Sequence, residues 1–143
     1  MKAGIDPPKW LYTALSLTWG LPLTLMGALV FFALIIAGKK PKRFGYCRYI
    51  EIGRSWGGLE GGLFFITCEN PPESLLRHEM GHGLQNLIFG PLMLPLVTIP
   101  SAIRWHWRRY AARRGRKLRP YADIWFERMA DTLGNQTHKS CKV

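Results

Sequence analysis

His78-Glu79-Met80-Gly81-His82 is the stretch around which the rest of this chain is organised. On an α-helix, side chains four positions apart lie on one face, about 40° apart around the axis. The imidazoles of His78 and His82 can therefore bind one metal ion, with Glu79 beside them as a candidate general base. The alternative is an ordinary helix in which these five residue types occur together by chance.

The residues around this motif predict a helix. Asn70-Pro71-Pro72-Glu73 is typical of a helix start, because asparagine caps, proline suits the first position and glutamate completes a capping box. The apolar pattern continues until Gly90-Pro91, which predicts a helix of about 18 residues. Gly81 and Gly83 each disfavour this helix by about 1 kcal/mol relative to alanine, so we expect either close approach by another segment or ordinary tight packing.

A catalytic metal site of this kind needs a third protein ligand. Gln85 and Ile88 occupy the positions where metzincins have glycine and histidine, which excludes that class. Further along the chain, Glu127 and Asp131 lie one turn apart in a helix predicted over 120–134. Glu127 is a candidate third ligand, and Asp131 is a candidate acceptor for the outer N–H of a ligating imidazole. The alternative for Glu127 is a solvated acid that pairs with an arginine.

The two motifs, H-E-x-x-H followed by E-x-x-x-D, resemble those of the gluzincins among the zinc metallopeptidases. Their short spacing and the apolar segments are most similar to the membrane peptidases of the HtpX and CAAX-prenyl-protease group. The resemblance implies one catalytic Zn²⁺ held by His78, His82 and Glu127. It also implies Glu79 as the general base, Asp131 as the acid that orients a histidine, and a zinc-dependent endopeptidase. The chain lacks the extra transmembrane helices of that group, so an activating partner or an oligomer stays an open question.

The region before the zinc helix, residues 44–67, reads as short strands separated by glycines. In the resembling family, the strand just before the zinc helix offers its edge to an extended peptide or protein substrate. We expect that edge strand to consist of Gly62, Leu63, Phe64, Phe65, Ile66 and Thr67. A plain core strand is the alternative, and Glu60, which lies between glycine pairs, is expected in an exposed turn.

Residues 10–38 form a run of 29 residues without a charge, which predicts a transmembrane helix. As one helix the run is longer than the apolar core of a bilayer, about 30 Å, so we expect tilt or a kink around Gly20 and Pro22. More Lys and Arg follow the run than precede it. The positive-inside rule therefore predicts an inner (plasma) membrane location, with the N-terminus outside and the catalytic part facing the cytoplasm.

A second apolar segment, residues 84–103, contains several prolines and is predicted to dip into the membrane and return; a second span is the alternative. The basic stretch after it, Arg104–Arg119, interleaves Arg and Lys with Trp and Tyr and dominates the net charge of +11. This composition is typical of contact with anionic lipid headgroups. Binding to nucleic acid is the disfavoured alternative.

The chain is therefore expected to have an α+β fold: an N-terminal transmembrane helix, a small β-sheet, the zinc helix, the membrane-dipping segment and the E-x-x-x-D helix. The expected division is a tail at 1–9, the transmembrane helix at 10–38, the zincin-like domain at 39–134 and a tail at 135–143. The resemblance to gluzincins covers residues 59–134 of this chain.

Hydrolysis of an amide also needs a donor for the oxyanion of the tetrahedral intermediate. Tyr110, Tyr121 and His106 are the candidates in this sequence. Two other functions stay open. A site-2-type intramembrane metalloprotease would also carry H-E-x-x-H beside an apolar segment, but it needs an aspartate ligand from a later transmembrane helix. A non-catalytic membrane adaptor would carry a structural or vestigial zinc site.

Overall fold

The computed structural model of the protein describes residues 7–54, 56–118 and 124–140. In this part of the chain, five α-helices and a four-stranded sheet form a mixed α+β fold, as the sequence predicts. The helices are α1 (Lys9–Leu17), α2 (Leu21–Ile36), α3 (Glu73–Phe89), α4 (Ile99–Arg113) and α5 (Trp125–Ser140), and the strands are β1 (Lys42–Phe44), β2 (Cys47–Glu51), β3 (Gly58–Gly61) and β4 (Phe64–Thr67).

The sheet has the strand order β1-β2-β4-β3, so β4 is an inner strand. It pairs in parallel with β2 on one side and antiparallel with β3 on the other. The prediction that Gly62–Thr67 is an edge strand is therefore wrong. The physical reason is the turn at Gly62, whose positive φ of 75° lets Gly58–Gly61 fold back along β4 and take the edge position.

The apolar stretch 10–38 is not one continuous helix, in contrast to the prediction. Helices α1 and α2 meet at 93°, at the position where a kink was expected. Pro22 lies at the start of α2, where a residue without an N–H is tolerated. The side chain of Asn86 on α3 donates a hydrogen bond to the carbonyl of Gly20 at 3.2 Å and holds this bend against α3.

Within the described ranges, no single helix has both the length and the apolar character needed to cross a membrane. A second pair of helical segments, Glu73–Leu92 and Leu94–Arg113, is bent by 117°. The bend lies within the predicted membrane-dipping segment, residues 84–103, and shortly before it Gly90 has a positive φ of 54°. Whether either bent pair contacts or enters a membrane stays a prediction.

Helix α3 has 17 residues, which confirms the predicted helix, but its start differs from the prediction. The helix begins after Pro72, and no side chain caps it. Asn70 instead has a positive φ of 52°, and its backbone N–H donates to Glu51 at 3.3 Å. The capping box is absent because the two prolines between Asn70 and Glu73 extend the chain before the first turn.

Helices α3 and α5 pack against each other without space between their backbones. A Cβ atom at Gly81 would overlap the carbonyl oxygen of Ala130, and one at Gly134 would overlap the carbonyl oxygen of Arg77. The close approach expected at Gly81 is thus confirmed. The predicted end of this helix at residue 134 is wrong. Gly134 lies inside α5 at the crossing, and the helix continues to Ser140, through part of the expected tail. Glycine is kept at both positions for contact rather than for a turn.

Gly81→Ala is expected to destabilise the protein, although alanine favours an isolated helix by about 1 kcal/mol. The new methyl group meets the rigid backbone of α5, and overpacking of this kind lowers the free energy of unfolding by roughly 1–3 kcal/mol. Thermal denaturation followed by circular dichroism in detergent measures the effect. Thr132→Ala is the control, because Thr132 is an exposed position on α5. A Gly81→Ala protein as stable as the wild type would contradict the contact.

Candidate metal centre

Three ligand atoms from α3 and α5 converge at one point. The Nε2 atoms of His78 and His82 are 3.1 Å apart, and Oε2 of Glu127 lies 3.0 Å from the first and 3.3 Å from the second. Ligands of a tetrahedral ion at bond lengths of about 2.0–2.1 Å are spaced about 3.3–3.4 Å apart. The group could therefore hold a metal ion after shifts of a few tenths of an ångström.

The hydrogen bonds behind the histidines fix which nitrogen faces this point. Nδ1 of His78 lies 2.7 Å from a carboxylate oxygen of Asp131, and Nδ1 of His82 lies 2.7 Å from Oε1 of Gln85. The Gln85 amide is itself oriented, because its nitrogen donates to the carbonyl of Phe126 at 2.6 Å. Both Nδ1 atoms must then donate, since their partners only accept, and each neutral ring presents an unprotonated Nε2 to the centre.

Three acceptor atoms therefore face one another without a donor between them. Glu127 is fully buried, which excludes the alternative of a solvated acid on a helix face. Its Oε1 accepts a hydrogen bond from Ser101 at 2.8 Å, so that Oε2 remains for the centre. A buried cluster of acceptors is unfavourable unless a cation neutralises it. A proton or a metal ion satisfies this arrangement, and the donor set fits a divalent ion.

The pKa values of His78 and Glu127 also indicate that the cluster favours a bound cation. Burial lowers the pKa of His78, but its hydrogen bond with Glu127 and its contacts with Glu79 and Asp131 outweigh this effect and raise the pKa to about 9. Burial raises the pKa of Glu127, yet its hydrogen bonds with His78 and His82 hold it well below the usual value. A metal ion that binds here takes the place of a proton on His78.

Glu79 lies between the metal ligands and the sheet. It is buried against β3, where a Cβ atom at Gly58 would overlap its carboxylate. Burial raises the pKa of Glu79, and the charges of His82 and His78 offset part of that rise. A carboxyl group whose pKa is raised toward neutrality, beside a metal centre, is suited to accept and return a proton.

A cavity of about 680 Å³ opens over this centre. Its floor is formed by His78, His82 and Glu79 on α3 and by Glu127 and Asp131 on α5. One wall is the run of consecutive residues 56–60, and the opposite wall is α4 with the turn before it. Because successive residues of a strand point to opposite faces, a continuous run along a cavity shows that the cavity follows the edge of β3.

Most of the remaining lining is apolar and comes from both walls. The side chains that give it this character are Leu59, Leu75, Met93, Val97, Ala102 and Trp105. The six residues of the predicted edge strand do not line this cavity, because β3 separates β4 from it. In the described part of the chain, no strand pairs with the outer side of Gly58–Gly61, which borders the candidate metal centre, so that strand replaces Gly62–Thr67 as the candidate substrate edge.

Glu60 is buried, with 6% of its surface exposed, so the expectation of an exposed turn is wrong. Its carboxylate lies beside Gly83 on α3, where the missing side chain leaves room chiefly for the hydroxyl group of Tyr12. Burial raises the pKa of Glu60 well above its usual value, and the charge of Glu79 raises it further. Burial therefore favours the protonated form of Glu60 more than it is favoured in an exposed glutamate.

The three candidate oxyanion donors have different outcomes. His106 on α4 lines the cavity. Tyr110 does not; 57% of its surface is exposed, and its ring lies under the guanidinium group of Arg114 at 5.1 Å, so the structure does not bring it to the centre. It lies three residues before Arg113, the last residue of α4. Tyr121 lies outside the described residues.

The sequence reasoning missed three residues that position the centre or border it. Gln85 lies three residues after His82 and therefore on nearly the same helix face, a spacing that could have identified it. Ser101 and Trp105 lie in segments that the sequence analysis assigned to membrane contact, and no local pattern connects them to the histidines. Tertiary packing alone brings them to the site.

Comparisons with protein-family models, with curated proteins and with solved structures find no match to this chain. The chemistry of the centre is therefore inferred from its own geometry.

Gln85→Leu is expected to weaken metal binding, because His82 loses the acceptor that fixes its tautomer and orientation. Loss of such a partner typically reduces metal affinity about 10–100-fold. Titration of the metal-free protein with Zn²⁺ against a competing chelator measures the affinity. Asn86→Leu is the matched control, since it removes a buried amide at the next position, whose partner is Gly20 rather than a histidine. Equal affinities of the two variants would contradict the role of Gln85.

Proposed function

We propose that this protein is a zinc-dependent peptidase of the gluzincin type that hydrolyses peptide bonds by means of water and a glutamate general base. The observation that carries the proposal is the convergence of His78, His82 and Glu127 beside the buried carboxyl group of Glu79, on the floor of a cavity. Two imidazole nitrogens and one carboxylate oxygen form a ligand set that catalytic zinc sites use, with a fourth position for water or substrate.

Zinc suits this centre better than harder divalent ions, because imidazole nitrogen is a preferred ligand of zinc and oxygen-rich sites suit magnesium and calcium. When bound, zinc supplies a Lewis acid that acidifies a water molecule and polarises a carbonyl group. Asp131, Gln85 and Ser101 keep the three ligands in place through the hydrogen bonds described above. Pre-oriented ligands need little reorganisation when the ion binds.

Glu79 performs the proton transfers in this proposal. It accepts a proton from the attacking water and delivers it to the nitrogen of the leaving amine, so that the carboxyl group is restored as a carboxylate. Its buried position against Gly58 places it between the metal ligands and the strand edge. His106, the cavity-lining candidate, is the proposed donor to the oxyanion of the tetrahedral intermediate.

The substrate that fits the cavity is an extended peptide. The outer side of β3 pairs with no strand in the described part of the chain, and the cavity follows that edge. A peptide can add there as a further strand through main-chain hydrogen bonds, and its side chains then meet apolar residues such as Leu59, Leu75 and Val97. Strand addition would hold the scissile bond beside Glu79.

The site-2-type alternative receives less support, since it requires an aspartate ligand from an apolar helix. The candidate third ligand is Glu127. It lies on the amphipathic helix α5, in which buried and exposed residues alternate. A non-catalytic adaptor could have the same metal site but would not hydrolyse peptides. The first experiment below distinguishes it from the proposed peptidase.

We also propose that the protein is attached to a membrane through the outer faces of α1, α2 and α4. These faces expose large apolar side chains, among them Trp10, Leu25, Leu29, Phe32, Ile36, Ile103 and Trp107. On α4 they alternate with arginines, and the guanidinium group of Arg109 lies over the ring of Trp105 at 4.6 Å. Apolar residues bordered by arginines fit an anionic lipid surface. The inner-membrane location and the orientation predicted from the flanking charges form part of this proposal.

Glu79→Gln is expected to keep its zinc and to lose peptide hydrolysis, because the amide cannot accept the proton from water. The loss should be at least about 10²–10⁴-fold, the usual contribution of general base catalysis. Mass spectrometry of a peptide mixture, with zinc content measured on the same preparation, gives both values. Glu73→Gln is the control, because Glu73 is an exposed acid at the start of the same helix that pairs with Arg77. A zinc-loaded wild type that leaves every peptide intact would favour the adaptor.

Replacing Arg109, Arg113 and Arg114 together by Gln is expected to weaken binding to vesicles that contain phosphatidylglycerol. Each basic residue near an anionic surface contributes about 1 kcal/mol. Binding to vesicles of phosphatidylcholine alone should not change, since the apolar contacts remain. Sedimentation of the protein with the two kinds of vesicle measures the difference, and Arg43→Gln on β1 is the control. Equal binding of the wild type to both kinds would contradict the anionic preference.

A further inference from the structure

One end of the cavity is bridged by two tryptophans from opposite walls. The indole N–H of Trp105 on α4 donates a hydrogen bond to the main-chain carbonyl of Trp56, just before β3, at 3.2 Å. Both residues line the cavity. The bridge therefore runs across the path that an extended peptide would follow along the edge of β3.

Both partners of the bridge are held in place. The indole of Trp56 donates to the carbonyl of Ile52 at 2.6 Å. Gly57 has a positive φ of 103°, a conformation that favours glycine, and its carbonyl accepts the backbone N–H of Cys68 at 2.9 Å. The ring of Trp105 is covered by the guanidinium group of Arg109. These contacts give the bridge a fixed position rather than that of a loose side chain.

The bridge lies close to the point of cleavage. Glu79 packs against Gly58, and Trp56 precedes Gly58 by two residues. Two extended residues span about 6.5 Å, so the bridge lies within about that distance of Gly58 along the chain. A paired peptide would reach it about two residues beyond the bond beside Glu79. There the carbonyl of Trp56 already accepts a hydrogen bond and is not open to the peptide.

The direction of the peptide follows from strand pairing and charge. Antiparallel pairing is the more stable and more common arrangement, and it directs the carboxyl end of a peptide toward the start of β3. Helix α4 carries arginines and no acid around Trp105. A free C-terminal carboxylate is favoured in such a positive field, whereas an N-terminal ammonium group is not.

We infer that the Trp56–Trp105 bridge closes the substrate cleft on the side of the peptide's C-terminus, so that the enzyme removes about two residues from a free carboxyl end. This inference rests on the proposed peptidase function and narrows the endopeptidase expected from the sequence. Water adds across the peptide bond, so that the carbonyl carbon gains a hydroxyl group and the released dipeptide's nitrogen gains a proton through Glu79. The substrate class is peptides or protein tails with an unblocked C-terminus.

The experiment compares binding of three labelled peptides to the zinc-loaded Glu79→Gln protein by fluorescence anisotropy. The peptides share one sequence and carry a free C-terminus, a C-terminal amide, or ten further residues that end in an amide. We expect the extended peptide to bind about tenfold more weakly than the free one, since it must displace a hydrogen bond and the packing around it. The affinity of the amide peptide should be intermediate, because it lacks the terminal charge but still fits the closed end of the cleft.

Two variants in the same background test the bridge itself. Trp105→Phe keeps the ring but removes the donor, and Trp105→Ala also opens the space, so both should reduce the preference for the free peptide, the second to within about twofold. Trp107→Ala is the matched control, since Trp107 lies on α4 outside the cavity lining with 53% of its surface exposed. It should keep the full preference. Zinc content and circular dichroism establish that each variant is folded.

The outcomes separate this inference from the proposed function. Equal binding of the free and extended peptides with Trp105 intact, together with cleavage by the wild type, overturns the closed end and leaves the peptidase proposal standing. Failure of the zinc-loaded Glu79→Gln protein to bind any of the peptides overturns both. In the wild type, release of dipeptides that changes to internal cleavage in Trp105→Ala supports the inference independently of the binding data.

Discussion

The backbone contact between α3 and α5 is the constraint on which the metal centre depends. Helix α3 alone supplies two imidazoles and a carboxyl group, which is one ligand short of a catalytic zinc site. The missing carboxylate comes from Glu127, 45 residues beyond His82, and it reaches the imidazoles only because Gly81 allows the carbonyl of Ala130 to approach. A side chain at this crossing would separate the helices by more than the tolerance of a metal–ligand bond.

The centre also depends on how its acceptors are held. Each ligand has one partner that fixes its orientation: Asp131 for His78, Gln85 for His82 and Ser101 for Glu127. These partners come from three different helices, so the site is rigid although the chain that builds it is short. In a protein with a net charge of +11, four of the nine acids, Glu60, Glu79, Glu127 and Asp131, line the cavity, whereas α4 contributes Ser101, Ala102, Trp105 and His106 to its lining.

Local patterns in the sequence were enough to identify the candidate metal ligands, but they did not identify the strand that borders the cavity above them. The four-residue spacing of the histidines and of Glu127 and Asp131 follows from helix geometry, and both pairs lie together in the structure. The edge strand was misplaced because Gly58–Gly61 has neither the β-branched residues nor the alternation of a strand, whereas Phe64–Thr67 has the apolar character of one. Only the turn at Gly62 and the sheet order decide which strand is outermost.

The sequence also does not predict burial and helix angles that depend on residues far away in the chain. Glu60 was expected in solvent because its neighbours are glycines, but it is buried, and its carboxylate lies beside Gly83 on α3. The break between α1 and α2 was expected near Gly20 and Pro22, since both residues act on the local backbone. The right angle between the two helices could not be predicted, because it is set by packing against the sheet and by Asn86 on α3.

X-ray absorption spectroscopy of the zinc-loaded protein tests the central claim most directly, because it reports the ligands of the ion without requiring a substrate. The expected spectrum has one zinc per chain, with nitrogen and oxygen neighbours at about 2.0–2.1 Å and the outer-shell signals of two imidazoles. In Glu127→Ala, the zinc content of the same preparation should fall well below one ion per chain. Sulfur neighbours at about 2.3 Å, or a zinc content that Glu127→Ala leaves unchanged, would contradict the three-ligand centre on α3 and α5.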